Sequence, residues 1–512
     1  MNEKTNHSAN ENAVCTEEPS AERTCCKQHS SRQACLSTDY EIPRSGIMGI
    51  SSETERNRKM AEVGGREVVL DILLELSKGN EYSNILIAAV LDKYDYLDGR
   101  EKAFIKRTSE GTIERRIQID YVLDRFSKVP VKKMKPLIRE LLRLSVYQIL
   151  FMENIPDAAV CNEAVKLAKK RGFQSLRGYV NGVLRAVARG KEQIVYPDRN
   201  TAYYEYLSVC YSMPVWLVEH FSHTYGDEQC EKILEAFQQR GAVSLRLQET
   251  LAVEEREALM ETWRRAGAWV RKNPYLPYAV MVRKTDGVRS LAGYREGVFA
   301  VQDVSSMLVV EAAGIRRGDT VIDVCAAPGG KALHAAAKLM GTGQVIACDV
   351  TEYKTAKIEE NRKRLGMENV SVRVRDARIA DETLIGQADV LLVDVPCSGL
   401  GVIGKKQDIK YRVTRQSMEE ITVLQKEIIG NVIQYLKPEG VMMYSTCTMN
   451  PAENEEMAMW ICEAYEMETV CMTHTMPEEL REQAERGYVQ LLPGVHRADG
   501  FFMAKLRRRQ NV

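Results

Sequence analysis

The sequence predicts a multidomain protein: an all-α domain, then a small α/β subdomain, then a doubly wound α/β domain. Residues 61–195 carry apolar side chains at helical spacing throughout. Residues 200–300 alternate short helical and strand patterns, which is typical of a small α/β unit. Residues 301–508 repeat a strand–turn–helix unit whose apolar runs suit parallel strands buried on both faces. The chain of 512 residues is long enough for these domains.

Overall composition gives little information about partners, because 71 Lys and Arg balance 71 Asp and Glu. No apolar run approaches the roughly 20 residues of a transmembrane helix, so no membrane partner is expected. The N-terminus is polar and has no apolar core of a signal peptide, which favours a cytoplasmic protein. The 13 cysteines include no C-x-x-C pair, so we expect reduced thiols and no metal site.

Residues 1–60 are rich in Ser, Asn, Thr and Glu, and they predict a disordered extension because they have few apolar side chains to bury. Met48 or Met60 could be the true start of translation. A metal site is an alternative, but its candidate ligands fit no standard spacing. They are Cys15, Cys25, Cys26, His29 and Cys35.

The helical segment is basic, with 24 Lys and Arg against 17 Asp and Glu in residues 65–195. Its charges cluster at 132–139 and 169–171; such runs are usually solvated faces, but beside an enzyme domain they also favour nucleic-acid phosphates. The segment resembles the NusB family of RNA-binding helical domains, which implies an RNA partner. The residues that carry this resemblance are 141–148 (LLRLSVYQ), 162–165 (NEAV) and 180–185 (VNGVLR).

The stretch 320–349 predicts a strand, a tight turn, a helix and a second strand that ends in Asp349. Gly329 and Gly330 would let the backbone pass close to a ligand, although glycines at such turns also serve geometry alone. Asp349 follows the turn by about twenty residues, the distance at which Rossmann-type units bind ribose. The turn lacks the G-x-G-x-x-G pattern, so it indicates a nucleoside ligand without a pyrophosphate.

Two cysteines follow two predicted parallel strands. Cys397 comes three residues after Asp394, and Cys447 follows the strand at 441–444. A single cysteine at such a position is usually buried packing. Carboxyl ends of parallel strands meet at one edge, however, so both thiols and the carboxylate should share a cleft there. The pattern therefore favours a nucleophilic site.

These motifs resemble those of the RNA cytosine-C5 methyltransferases of the Sun class. The resemblance covers about residues 200–508. Together with the NusB-like segment, it is similar to members that act on bacterial 16S ribosomal RNA. The motifs are 323–331 (DVCAAPGGK), 394–401 (DVPCSGLG) and 444–448 (YSTCT), with 302–306 (QDVSS), 376–377 (DA) and 499–506 (DGFFMAKL). Departures from the family pattern are Gln248, Ala332, Gly404 and Gln407.

The resemblance implies a Rossmann-like, class I S-adenosylmethionine-dependent methyltransferase domain. C5 of cytosine is a poor nucleophile, and a thiolate that adds to C6 activates it. Cys447 would be that nucleophile, Cys397 would assist product release, and Asp394 would bind and activate the cytosine. The base must be unstacked, so the expected partner is a cytosine of free 16S ribosomal RNA or of an assembly intermediate. No protein partner is indicated.

The resemblance also implies the cofactor residues. Asp349 would bind the ribose of S-adenosylmethionine, Asp376 would lie near its adenine, and Asp394 would lie beside it. Alternatively, Asp376 caps its own turn and Lys331 faces Asp323. The turn that would contact the cofactor comprises Cys325, Ala326, Ala327, Pro328, Gly329, Gly330 and Lys331.

Three other functions compete with this interpretation. The substrate could be transfer RNA or another RNA. A DNA cytosine methyltransferase would use Cys397 as the nucleophile and would not need Cys447. A non-catalytic RNA-binding assembly factor would use only the helical domain, but it would have no reason to keep Cys447, Cys397 and Asp394 together.

Overall fold

The computed structural model describes residues 64–509, apart from 80, 95, 240, 284 and 286. The predictions for residues 1–60, including the cysteine-rich alternative metal site, lie outside this range. The first described region is all helical, as predicted. Its helices are α1 (Gly65–Leu76), α2 (Ser83–Lys93), α3 (Gly99–Glu114), α4 (Arg116–Phe126), α5 (Pro136–Phe151), α6 (Asp157–Lys170) and α7 (Arg177–Gly190).

Helix α5 is the central helix of this bundle. Pro136 begins it at a position where a missing backbone N–H costs nothing, and Leu141, Leu142 and Val146 are fully buried. Gln148 on the same helix is also buried, donates to the Leu144 carbonyl and accepts from Arg66. The apolar stripe of α5 therefore explains why residues 141–148 carry so much of the family pattern.

The two predicted basic clusters differ in their surroundings. Lys132 and Lys133 are exposed. Lys170 and Arg171 instead pair with Glu67 on α1, at 2.7 and 3.1 Å. The cluster at 169–171 is thus partly neutralised within the bundle, so only part of it remains available to a phosphate.

A second region contains three helices followed by a four-stranded antiparallel sheet of order β2–β3–β1–β4. Trp263 fixes the crossing helix α11 on this sheet: it is 1% exposed and packs edge-on against Phe299. Strand β2 was not predicted, since it is short and mostly exposed. The elements are α8 (Tyr203–Tyr211), α9 (Val215–Tyr225), α10 (Asp227–Gln238), β1 (Val243–Leu247), α11 (Val253–Arg265), β2 (Trp269–Lys272), β3 (Ala279–Arg283) and β4 (Phe299–Val301).

The third region is built on an eight-stranded sheet of order β10–β12–β9–β8–β5–β6–β7, with β11 paired to β12. Five neighbouring strands, β9 to β7 in that order, are parallel, as predicted. Strand β12 runs antiparallel to β9, so the sheet is mixed. The helices and strands of this region alternate along much of its length.

They are α12 (Val304–Ala313), β5 (Thr320–Asp323), α13 (Gly330–Lys338), β6 (Gln344–Asp349), α14 (Glu352–Leu365), β7 (Val370–Val374), β8 (Ala388–Asp394), α15 (Ile409–Arg412), α16 (Arg415–Val432), β9 (Leu436–Thr446), α17 (Glu455–Ala464), β10 (Met467–Thr469), α18 (Arg481–Glu485), β11 (Tyr488–Leu491) and β12 (Phe501–Arg508).

The loop after the Cys397 motif contacts the helical bundle. We call residues 405–412 the docking loop. Asp408 accepts hydrogen bonds from the backbone N–H and hydroxyl of Ser83, at 2.9 and 2.8 Å. Lys410 is 3% exposed and donates to the carbonyl of Glu114 at 2.8 Å. The docking loop therefore joins the bundle to the segment that carries Cys397.

None of the helices within the described part of the chain is both long and apolar enough to cross a bilayer.

Candidate active site

The turn between β5 and α13 is held by Asp349, at the end of the neighbouring strand β6. One carboxylate oxygen of Asp349 accepts the N–H of Ala327 at 2.9 Å. The other accepts the N–H of Val350 at 2.8 Å and pairs with Lys354 at 3.0 Å. Gly329 has φ +105°, and a Cβ there would lie 3.0 Å from Leu333. The sequence and the fold thus agree that this turn needs glycine and an adjacent acid.

Asp323, at the end of β5, is a buried carboxyl without full hydrogen bonding. It is 1% exposed, and its Oδ2 has no hydrogen-bond partner among the described residues. Burial, with a further contribution from the Asp394 charge, raises its pKa to about 7. An unpaired carboxyl oxygen beside a glycine turn fits a ligand rich in hydroxyl and amino groups. The residues present therefore fit the nucleoside part of S-adenosylmethionine.

Replacing Asp323 with Asn should change how stability depends on pH. Between its ordinary value of 3.8 and about 7, the folded protein keeps a proton on Asp323 that the unfolded chain releases. The native carboxyl therefore stabilises the fold most below that window, and this contribution falls as pH rises towards 7. We measure the free energy of unfolding in urea for Asp323→Asn and for wild type. The value for Asp323→Asn minus that for wild type should increase with pH through this range and then level off.

The exposed Glu296 provides a control for that measurement. Glu296→Gln should follow the wild-type pH curve. Parallel curves for wild type and Asp323→Asn would show that Asp323 is ionised in the fold like any surface carboxylate.

Asp394, at the end of β8, is oriented by two groups. Its Oδ1 accepts the hydroxyl of Ser445, which lies opposite it in the parallel ladder, at 2.7 Å. Its Oδ2 pairs with the ammonium of Lys331 at 2.8 Å. The Lys331 side chain is only 9% exposed and also lies 5.2 Å from the Phe501 ring centre. Lys331 thus contacts Asp394, not Asp323, and links the glycine turn to the cysteine motifs.

The two cysteines meet, as their positions after β8 and β9 predict. Their sulfur atoms lie 3.1 Å apart, and the backbone N–H of Cys447 donates to the Cys397 sulfur at 3.3 Å. The hydrogen bond from Cys397 lowers the pKa of Cys447, and the same contact raises the pKa of Cys397. Both thiols are partly accessible. The pair therefore favours a thiolate on Cys447 and a thiol on Cys397.

A buried carboxylate, not anticipated from the sequence, holds both cysteine loops. Glu453 is 0% exposed and accepts the backbone N–H and hydroxyl of Ser398, at 2.8 and 2.5 Å. It also accepts from Asn450 at 2.9 Å and from Gln425 at 3.2 Å. The only sequence feature that could have revealed this residue is a Glu six positions after Cys447. Its polar neighbours are also typical of an ordinary helix start, so the sequence did not single it out.

Asp376 lies two residues beyond the end of β7, near the same edge of the sheet. It accepts the backbone N–H of Arg378 at 3.0 Å and pairs with the Arg378 guanidinium at 2.6 Å. These hydrogen bonds lower the pKa of Asp376. Asp376 therefore caps its own turn, as the alternative interpretation proposed. Its contact with the adenine of the cofactor stays a prediction.

Glu249, Glu311 and His334 form a group with the geometry to hold a metal ion. The ammonium of Lys338 lies 2.7 Å from Glu249 and 2.5 Å from Glu311. Burial lowers the pKa of His334 to about 3, so its ring is neutral at physiological pH. The ammonium of Lys338 is therefore the cation within this group. It links Glu249, just after strand β1, to Glu311 on helix α12.

Comparison with protein families matches all three regions. The NusB family matches residues 64–189, and the ferredoxin-like domain of the RsmF/B-like methyltransferases matches residues 213–289. The 16S rRNA methyltransferase RsmB/F model matches residues 312–507. The predicted order of domain types is thereby confirmed.

A relative from Bacillus subtilis (strain 168), named probable ribosomal RNA small subunit methyltransferase B, is 34% identical over 456 residues, which are 88% of this chain and 100% of that protein. This chain belongs to the ribosomal RNA small subunit methyltransferase B family. A family member from Escherichia coli O17:K52:H18, ribosomal RNA small subunit methyltransferase B, is 30% identical over 88% of this chain and 99% of its own length. The chain is thus an S-adenosylmethionine-dependent methyltransferase, as predicted.

Solved structures agree on the fold of this family. The crystal structure of PH0851 superposes with a TM-score of 0.72 at 24% identity, covering 87% of this chain and 98% of that one. The structure of NSun6 from Pyrococcus horikoshii with SFG superposes with a TM-score of 0.51 at 22% identity, over 58% of this chain and 99% of that one.

Proposed function

We propose that the protein methylates C5 of a cytosine in 16S ribosomal RNA through a covalent adduct between Cys447 and C6. The observation that carries this proposal is the contact between the Cys447 and Cys397 sulfurs at 3.1 Å, beside the Lys331–Asp394 pair. The names of its relatives support a small-subunit ribosomal RNA substrate. The basic helical bundle supports an RNA partner, because its excess of Lys and Arg can bind phosphates.

The first step is addition of the Cys447 thiolate to C6, which forms the S–C6 bond and moves the 5,6 double-bond electrons towards C5. Asp394 is suited to bind the N3 and N4 edge of the cytosine. Its carboxylate would also stabilise the protonated ring of the adduct. Lys331, at 2.8 Å, and Ser445, at 2.7 Å, fix the direction of that carboxylate. S-adenosylmethionine supplies an electrophilic methyl group when it is bound.

The last step regenerates the aromatic ring. C5 gives its proton to solvent water, the C5–H electrons re-form the 5,6 double bond, and the S–C6 bond breaks with its electrons on the Cys447 sulfur. Cys397 is in place to donate its S–H to that departing sulfur, because the two sulfurs lie 3.1 Å apart. This assignment gives each cysteine a separate role.

The DNA-methyltransferase alternative would make Cys397 the nucleophile. Its raised pKa and the lowered pKa of Cys447 both argue against that choice. A non-catalytic RNA-binding factor would not need the buried Glu453 network that holds the two cysteine loops.

Bisulfite sequencing of ribosomal and transfer RNA tests the proposal. We compare cells with the gene, cells without it, and cells rescued with wild type or Cys447→Ala. We expect one small-subunit cytosine to lose its signal and to regain it only with the wild type. A change confined to transfer RNA would keep the chemistry and reject the substrate; no change in any RNA would support the RNA-binding alternative.

A further inference from the structure

A second cleft lies beside the loop that follows Cys447. It has a volume of about 320 Å³, near the lower end of the ~300–1,000 Å³ typical of ligand pockets. Helix α9 and the start of helix α16 form two walls, and the loop at Asn450 and Ala452 forms a third. Its lining includes Trp216, His220, His223, Arg415, Glu419 and Asn450.

This cleft is connected by hydrogen bonds to the loop that follows Cys447. Asn450 is three residues after Cys447, and its amide donates to Glu453 at 2.9 Å. The hydroxyl of Tyr225, at the end of α9, donates to the Met449 carbonyl at 2.8 Å. A ligand in the cleft would therefore contact the loop that follows the nucleophile.

The lining of the cleft combines an aromatic ring, imidazoles and a cation. Trp216 is half-buried. The Nε2 of His220 is buried and has no hydrogen-bond partner among the described residues. Arg415 is exposed, and no carboxylate pairs with it within the part of the chain that the structure describes. The free guanidinium and the aromatic face together suit a ligand that has a planar ring and a negative charge.

We propose that this cleft binds a nucleotide of the RNA substrate that flanks the target cytosine, with its base against Trp216 and its phosphate near Arg415. The inference rests on the proposed function and deepens it. An unstacked target leaves its neighbours without one stacking partner, and an aromatic side chain replaces that partner without sequence preference.

The first test uses in vitro transcribed, unmodified small-subunit RNA as the probe. We expect Trp216→Ala to raise the KM for RNA about tenfold or more, because a lost base stack has an effect of that size. The kcat and the Kd for S-adenosylmethionine should stay near wild type, which also shows that the variant is folded. Trp216→Phe should keep most of the RNA affinity. The control is Trp269→Ala, at an exposed tryptophan on the outer strand β2.

Arg415→Gln tests the phosphate contact. The slope of log affinity against log salt should decrease in magnitude by about 0.7, the value for one contact to a single-stranded phosphate. An unchanged slope would place the phosphates elsewhere.

A base-removal scan identifies the bound nucleotide. Short RNAs around the trapped cytosine each lack one base, and adduct formation is measured in the Cys397→Ala background. One abasic position next to the target should weaken trapping, and adding Trp216→Ala should abolish that difference. If adducts form but Trp216→Ala behaves like Trp269→Ala, the nucleotide site is rejected and the proposed function stands. If no variant forms an adduct, the proposed function itself fails.

Discussion

Cys397→Ala is expected to accumulate a covalent protein–RNA complex, whereas Cys447→Ala should form none and should lose turnover by on the order of 10⁴-fold or more. The reason is the division of roles between the two sulfurs, which lie 3.1 Å apart. Without Cys447, no bond to C6 forms. Without Cys397, the bond forms but its breakage lacks a proton donor. Denaturing gel electrophoresis with labelled RNA measures the complex, and methyl incorporation measures turnover.

Cys462→Ala is the matched control, because Cys462 is a buried cysteine on helix α17 that packs in the core on the other side of the sheet. It should turn over normally and leave no stable complex. The opposite pattern, with a trapped complex in Cys447→Ala and none in Cys397→Ala, would make Cys397 the nucleophile and would favour the DNA-type mechanism.

Glu453→Ala is expected to lower the free energy of unfolding by about 3 kcal/mol or more, because it leaves several buried donors unpaired. Those donors are the N–H and hydroxyl of Ser398 and the amides of Asn450 and Gln425. Glu453→Gln keeps the volume and one acceptor, so its loss should be smaller. Urea unfolding measures the stability of both variants.

The same change should slow adduct formation by more than it weakens cofactor binding. Ser398 is adjacent to Cys397, and its hydroxyl also contacts Thr448, next to Cys447, at 2.6 Å. The control is Glu456→Ala, at an exposed glutamate on helix α17, which should change stability by no more than ~0.5 kcal/mol. Equal stability of the Glu453 and Glu456 variants would mean that water replaces the carboxylate without cost.

The sequence predicted those parts of the site that depend on local patterns. The apolar runs before Asp323, Asp349 and Asp394 identify buried parallel strands, and the topology of such a sheet then brings their ends together. The contact between Cys397 and Cys447 follows from the same rule. The positions of the strand ends do not, however, specify which cysteine is the nucleophile and which donates the proton.

The remaining contacts depend on long-range geometry that no local pattern contains. Lys331 reaches Asp394 across 63 positions of sequence, and Glu453 reaches Ser398 across 55. Strand β2 and helix α18 are short, and their periodicity is too brief to distinguish them from loops. Lys405, in the loop beyond Cys397, pairs with Asp303 and Asp499, which lie about 100 positions away in the sequence on either side.

The docking loop has a consequence for how the role of the NusB-like bundle can be measured. Asp408 and Lys410 are both buried against that bundle. Deleting the bundle would leave a carboxylate and an ammonium without Ser83 and the Glu114 carbonyl, a few residues from the Cys397 motif. A truncated enzyme would thus lose active-site rigidity together with the RNA affinity that we propose for the bundle. Point substitutions on the exposed lysines 132 and 133 separate the two effects, since those residues lie away from the docking loop's hydrogen bonds.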